Sequence, residues 1–539
     1  MPLYGKIMRN FYIITLFLFF CSFSASAQFN ILWQDCYGTT EAERALTIIP
    51  YEEGYLLGGC TEGTDWYWTC DSMNFPYPGP GWLVKIDNNG IFHNNICFEN
   101  LQIKDIHRQI DSDDFYLIGG GRMEDNPDAI NVSIMKTDSE LSTLWEKCVG
   151  SPAGLRYCLG GISTLDKGCL SYCSIMSGGG DVSDFYGDSF NVWLAKINEV
   201  GDLVWDYTFG NANGITFVND VLQTADSSYL VCMYGNTCGA PGNGNIYCYK
   251  EFDEGYDMIL YKIDKNGNPL WQRCYGGNHH DVLRKVIELE DGYLICGYTD
   301  SSDGDMLNSG FHWVTDVWIA KIDFDGNIIW QKCYGGTEYD VPHDIKETSD
   351  GWFIVFARTE SDDCDVQGNI NDAGHSIWIF KIDANGELLW QKSIQSLGRE
   401  EVHDVYQKSD TRYVLAGEMW YSPSYDVNCS NYIPFSWGNY YALEIEITDG
   451  GVGQEELYTA DDIQLYPNPA ISSFTIEIPV NTSVPSMQVE VFNMNGILLL
   501  SSNIQDPKQT FNIQSFPEGC YVVCLSDDEN VVYRKLVVR

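Results

Sequence analysis

Four side chains of the types that bind metals or exchange protons, His107, Arg284, His343 and His403, each fall seven residues ahead of a short turn. Acidic residues precede three of them by two or three positions: Asp281, Asp340 and Glu401. Grouped at one place, such imidazoles and carboxylates could hold a metal or do acid–base work. Their recurrence supports a plainer reading, because a residue repeated unit after unit usually serves the unit through a buried hydrogen-bonded network. A second set is purely acidic: Asp300, Asp303 and Asp305 in TDSSDGDML, answered one repeat later by Asp362, Asp363 and Asp365. Clustered carboxylates suit calcium, and also ordinary turns. The Asp-x-Asn-Gly stretches at 264–267 and 383–386 lack the further carboxylates and distal Glu of an EF-hand loop, so they are read as hairpin turns. The sequence contains no HExxH, GxSxG, GxxxxGK[ST] or CxxC, and His279-His280 has no partner at metal-binding spacing.

The elements that must position these residues follow from a repeat. Trp33, Trp145, Trp205, Trp271, Trp330 and Trp390 are spaced by 112, 60, 66, 59 and 60 residues, the first interval hiding one degenerate unit near Phe92. Each unit reads as four short strands, a to d, separated by Asp-Gly or Asn-Gly turns. Strand c recurs seven times, at 82–87, 132–138, 192–198, 258–264, 317–323, 378–383 and 441–447. Six copies are followed by their own strand d, while the spare d-like segment, ILWQDCYG, stands at 31–38. The expected fold is therefore all-β: a seven-bladed β-propeller over 28–447 whose N-terminal strand completes the last blade, leaving no exposed edge.

The unit resembles the long W-x-K-x-Y-G-G, D-G-Y and K-I-D-x-x-G propeller repeats of secreted bacterial surface proteins. That resemblance implies a scaffold and says little about a ligand. It also has Asp, Gly and Trp in an order similar to quinoprotein tryptophan motifs, but the Trp period near 60 is longer than those enzymes would show, which argues against pyrroloquinoline quinone.

Both ends speak of export. Lys6 and Arg9, the apolar run 11–20 and Ala25-Ser26-Ala27 make a signal peptide over 1–27; a lipid anchor at Cys21 is disfavoured by Phe19 and Phe20. No later stretch has the roughly 20 apolar residues of a membrane span. After a Gly- and acid-rich linker at 448–462, residues 463–539 read as a small β-sandwich. Tyr466-Pro467-Asn468-Pro469, the Asn495-Gly496 turn, Gly519 with Tyr521, and Lys535-Leu536-Val537 resemble the type A sorting domain of type IX secretion. The resemblance implies an outer-membrane translocon as partner, with removal of the domain and release of the product or its attachment to surface lipopolysaccharide.

A formal net charge of −45 excludes nucleic acid and charge-driven attachment to anionic membranes. Cys36, Cys148, Cys274 and Cys333 occupy a strand-d position that other repeats fill with Thr208 or Ser393, which predicts small packing residues rather than bridges. Cys60 with Cys70 and Cys238 with Cys248, each ten residues apart around a loop, are the better disulfide candidates, while Cys520 and Cys524 read as packed thiols.

The b-to-c connections are long, at 61–81, 174–190, 234–256, 299–315, 359–375 and 418–439, and all must leave the same face of the ring. They carry aromatic residues, Trp66, Trp68, Trp313, Trp420, Tyr421 and Trp437 among them, suited to stacking on sugars or anchoring a protein partner; self-packing of the loops is the competing account. The expectation is an exported, non-enzymatic propeller that binds a glycan or protein through this face. The alternative is a polysaccharide hydrolase or lyase using the channel-mouth residues. No cofactor is called for, and calcium is the metal the acidic loops would suit.

Overall fold

The computed structural model describes residues 28–538 except 39–42, 62–79, 99–100, 124–125, 154–156, 188, 213, 237–243, 248–254, 370–373, 396–398, 421–425, 427–438, 449–463, 468–469, 478–487, 494–497, 504–507, 515, 518 and 527–530. The signal segment therefore lies outside the described residues. The chain divides into two units, Met1–Asp449 and Gly450–Arg539.

Among the described residues the first unit forms seven four-stranded antiparallel sheets, consistent with the blades of a β-propeller. Blades 1 to 6 are local meanders whose innermost strands, a, are Glu43–Tyr51, Leu101–Arg108, Tyr157–Ser163, Ile215–Gln223, Asp281–Leu289 and Asp340–Glu347. Blade 7 takes Arg399–Ser409, Arg412–Trp420 and Asn439–Thr448 from the end of the repeats and Gln28–Tyr37 from the start. Gln28 pairs with Thr448 and Cys36 with Tyr441, so the first strand does complete the last sheet. Successive a strands pack on one another, the last on the first. The joint is sealed by Ala45, Ile48, Tyr55 and Trp82 of blade 1 against Tyr37, Val414, Ala416 and Tyr440 of blade 7.

The repeat motif is legible as inter-strand and inter-blade chemistry. The Lys of K-I-D, buried along its stem in strand c, reaches the acid of its own a-to-b turn: Lys136 to Asp114 at 3.2 Å, Lys196 to Asp166 at 3.0 Å, Lys262 to Asp226 at 3.0 Å and Lys321 to Asp291 at 2.8 Å. Blade 7 reverses the polarity. Glu444 takes the lysine position and meets Lys408 and Arg412, each at 3.2 Å, while the Trp33 indole donates to it at 2.9 Å. Strand-d aromatics clamp the next blade: Trp33 lies under the turn at Gly90, whose φ of 77° and lack of a Cβ, which would sit 2.3 Å from the indole, make glycine obligatory there. The Tyr of C-Y-G-G adds a hydrogen bond to the same turn, from Tyr275 to Gly326 O at 2.7 Å and from Tyr334 to Gly386 O at 2.6 Å. The c-to-d turns are Asx turns, as at Asp264, whose carboxylate accepts the Asn266 and Asn268 amides, both at 2.8 Å.

The cysteines correct the expectation from spacing. Cys36, Cys97 and Cys274 are disulfide-bonded, whereas Cys148 and Cys333 are thiols. Exchangeability with Thr208 and Ser393 reports side-chain size, which a bridged sulfur meets as well as a thiol does. Cys60 is a thiol, so the bridge to Cys70 is not formed. Cys70, Cys238 and Cys248, and the side chains of Cys520 and Cys524, lie outside the described residues.

In the second unit a three-stranded sheet (Gln464–Tyr466, Ser473–Glu477, Lys508–Asn512) and a four-stranded sheet (Leu498–Asn503, Gln488–Asn493, Gly519–Ser526, Val531–Val538) share one core. Phe474, Ile476, Val489, Val491, Phe511, Tyr521, Val523, Leu536 and Val538 fill it.

Candidate functional site

Every strand a carries a β-bulge near its start, with the extra residue at Leu46, Lys104, Leu159, Asn219, Arg284, His343 and His403. A bulge re-aims the side chain that it inserts. Arg284, His343 and His403 are thus equivalent, as expected, but His107 is not: its counterpart is Lys104. His107 lies three residues further along, with Nε2 3.0 Å from Asp105. Burial opposes charging that imidazole, and the adjacent Asp105 outweighs burial, so its pKa is raised. The residue after the bulge is an Asp in four blades, and there it ties blades together: Asp404 accepts the Ile48 amide at 2.8 Å and Asp220 the Val286 amide at 3.4 Å.

Around the bulges of blades 5 to 7, at the end of the ring from which the b-to-c loops leave, polar side chains gather. His343 Nε2 is 3.9 Å from Glu401, which is 3.8 Å from Arg358. His403 Nε2 is 3.7 Å from Glu418, and Arg44 of blade 1 approaches Glu418 at 3.3 Å. The His343 and His403 rings stand perpendicular with centroids 6.5 Å apart. His375 meets Glu360 at 2.7 Å. Burial, followed by Arg284, His403 and Arg358, drives the His343 pKa well below the ordinary imidazole value, so it is neutral. Buried atoms of this group lack hydrogen-bond partners: His343 Nε2, His403 Nε2, Glu418 Oε2, Arg284 Nε and Arg358 Nε. Such atoms are costly unless something satisfies them.

Aromatic rings continue the rim through blades 3 to 5. Phe190 and Phe217 lie 5.0 Å apart, Phe217 stacks on Tyr234 at 5.2 Å, Tyr234 meets Tyr256 edge-on at 5.6 Å, and Tyr256 meets His280 at 5.0 Å. One blade on, the Arg284 guanidinium of the polar group sits 5.5 Å over the Tyr298 ring. Phe217, Tyr234, Tyr256 and Tyr298 are each half-buried. Neither this row nor Glu418 was singled out by the sequence. The signal was present in register, since Phe217 pairs Tyr234 and Glu401 pairs Glu418 across strands a and b.

The other predicted residues are placed differently. Asp340 is fully buried, its carboxylate accepting from Gly336 N at 2.8 Å, Ser361 Oγ at 2.8 Å and Thr359 Oγ1, and so stands apart from the channel-mouth group. Asp300, Asp303 and Asp305 accept from Thr315 Oγ1 at 2.6 Å, Asn278 N at 2.9 Å and Gly276 N at 3.2 Å, each holding a different piece of chain. Trp313 is 76% exposed, and Tyr339, which bridges to Thr315, 46%. Trp66, Trp68, Tyr421 and Trp437 lie outside the described residues, as does the side chain of Trp420.

In the C-terminal unit Tyr521 is a core residue, packed on Phe516 with centroids 5.2 Å apart, and Lys508 sits 5.2 Å over the Tyr466 ring. Pro467 follows Tyr466 through a cis bond, Gly519 begins a strand, and the Lys535 backbone pairs with Val522. Asn468, Pro469 and the Lys535 side chain lie outside the described residues. Residues 464–539 match the family described as the secretion system C-terminal sorting domain. The C-terminal unit is a secretion sorting domain. It commits the chain to the secretion machinery and, by way of the periplasm, to the cell surface or the extracellular space.

No curated protein matches the chain. Among solved structures, PorZ, a surface component of the type IX secretion system of Porphyromonas gingivalis, superposes with a TM-score of 0.38 at 10% identity, over 94% of this chain and 60% of PorZ. The polysaccharide lyase Uly1 gives 0.41 at 9% identity over 75% and 89% of the two chains. A quinohemoprotein alcohol dehydrogenase of Pseudomonas putida gives 0.35 at 12% over 82% and 79%. Nothing about ligand or reaction passes from these likenesses to this chain. Among the described residues no helix is long and apolar enough to cross a membrane.

Proposed function

We propose that the exported propeller binds a glycan at the channel mouth on its long-loop face. The observation that carries this reading is the row of half-buried aromatic rings Phe217, Tyr234 and Tyr256, with Tyr298 one blade on beneath Arg284, beside a group of donors and acceptors without hydrogen-bond partners around Arg284, His343 and Arg358. Aromatic faces stack on the apolar faces of sugar rings, and hydroxyls both donate and accept. The guanidinium groups of Arg44, Arg284 and Arg358 are balanced by Glu360, Glu401 and Glu418, so the mouth does not require a charged ligand. A neutral or weakly charged glycan also avoids repulsion from a chain of net charge −45. The exposed Trp313 and Tyr339 extend the platform outward. A glycan array probed with the mature chain tests the reading: binding that Phe217→Ala and Tyr234→Ala abolish supports it, and binding indifferent to both refutes it.

One observation favours a second reading, turnover of a polysaccharide at the same mouth. His343 is held neutral with its side chain 9% exposed and lies beside Glu401, so an imidazole with a free lone pair, though a weak base, stands next to a carboxylate at the mouth. Shortening of a bound polysaccharide over time, lost in His343→Ala, distinguishes turnover from binding.

A further inference from the structure

Glu401 and Glu418 face each other directly across strands a and b of blade 7. Like charges so placed are destabilising. At the same register the other blades pair Arg44 with Cys60, Gln102 with Gly120, Tyr157 with Ser174, Phe217 with Tyr234, Val282 with Tyr298 and Val341 with Arg358. Only blade 7 opposes acid to acid. His403, two residues after Glu401 and displaced by the bulge, brings an imidazole to the same spot, so that one ligand atom from each of the three residues lies within 4.8 Å of the other two.

We infer that Glu401, His403 and Glu418 form a binding site for a divalent transition-metal ion of the zinc class. Two carboxylates and one imidazole suit zinc or manganese, whereas calcium prefers oxygen ligands alone. Three protein ligands leave a position open to water or a ligand. Independent support comes from His343, outside the triad: its side chain is 9% exposed, its Nε2 has no hydrogen-bond partner, and that atom is 3.9 Å from Glu401. Glu418, 6% exposed, has an Oε2 that accepts no hydrogen bond and meets only the Arg44 guanidinium, at 3.3 Å. The arginines nearby stand off at 3.3 and 3.8 Å, beyond good hydrogen bonds, and supply the positive charge that an ion would supply instead. Arg44, 48% exposed, is free to swing away. The site does not depend on the glycan reading.

The test uses the mature full-length chain, stripped with chelator and titrated calorimetrically with Zn²⁺, with Ca²⁺ as contrast. One Zn²⁺ per chain is expected, weakened about tenfold or more in His403→Ala and in Glu418→Gln. Arg44→Gln should bind more tightly, because a competing cation is gone; this variant keeps every ligand and guards against loss of binding through misfolding. Co²⁺ in the wild-type chain should show d–d absorption without thiolate charge transfer. No Zn²⁺ binding, a thiolate band, affinity unchanged in both ligand variants, or weaker binding in Arg44→Gln would each overturn the inference.

Discussion

Asp281 and Asp340 occupy the same corner of successive blades, and both are fully buried. Each accepts a glycine amide, a Ser hydroxyl and a Thr hydroxyl: Gly277, Ser301 and Thr299 in one case, Gly336, Ser361 and Thr359 in the other. Burial exceeds the effect of those hydrogen bonds and pushes both pKa values up from 3.8 to about 7. The folded chain therefore binds more protons than the unfolded chain between about pH 4 and 7. The resulting stabilisation is fully present below about pH 4 and is lost as pH rises through 7. At 1.36 kcal/mol per pH unit, about 4 kcal/mol per carboxyl is the ceiling. In Asp281→Asn/Asp340→Asn the neutral state is fixed, and the Ser and Thr hydroxyls can rotate to suit an amide. Denaturant unfolding at pH 5 and pH 8, followed by tryptophan fluorescence, reads the effect. All 16 tryptophans lie between Trp33 and Trp437, so the signal belongs to the propeller. Wild type should lose several kcal/mol more than the double variant on going from pH 5 to pH 8. Equal losses would refute the assignment of these carboxyls.

Other outcomes follow from the same contacts. Glu444→Lys places three cations together at the closure of the ring and should cost about 3–5 kcal/mol; adding Lys408→Glu should restore part of it, which a double-mutant cycle in denaturant measures. Tyr275→Phe removes one buried inter-blade hydrogen bond and should cost about 1 kcal/mol by the same melts. Removal of Gln28–Tyr37 leaves blade 7 with an open edge and should give an aggregating product, seen by light scattering. A chain ending before residue 464 should accumulate in the periplasm instead of the medium or cell surface, read by fractionation and immunoblot.

The seven c strands and the closing N-terminal strand were legible because the Lys of strand c and the Trp of strand d repeat a physical job in nearly every blade. The lysine answers a turn acid and the aromatics clamp a turn glycine, so function of the unit is written in spacing. The bulge on strand a left no such mark: Leu46, Lys104, Leu159, Asn219, Arg284, His343 and His403 span five residue types across seven blades. Counting back from the turns therefore found Arg284, His343 and His403 but put His107 where Lys104 belongs. Glu418 escaped notice because a glutamate near the end of a strand looks ordinary until its cross-strand neighbour is known to be Glu401. The acidic runs at Asp300 and Asp362 suit a cation and ordinary turns alike in sequence, because composition cannot show direction; Asp303 and Asp305 are turned onto the Gly-Gly corner that precedes strand a.

The central claim, glycan binding at the long-loop mouth, is tested most directly by isothermal titration of the mature chain with array-selected neutral oligosaccharides at low and high salt. Stacking and hydroxyl contacts predict an affinity that changes little with salt and falls at least about tenfold in Tyr234→Ala, where one stacking face of the rim is removed. Affinity that collapses in salt, or that survives Phe217→Ala and Tyr234→Ala together, would contradict it.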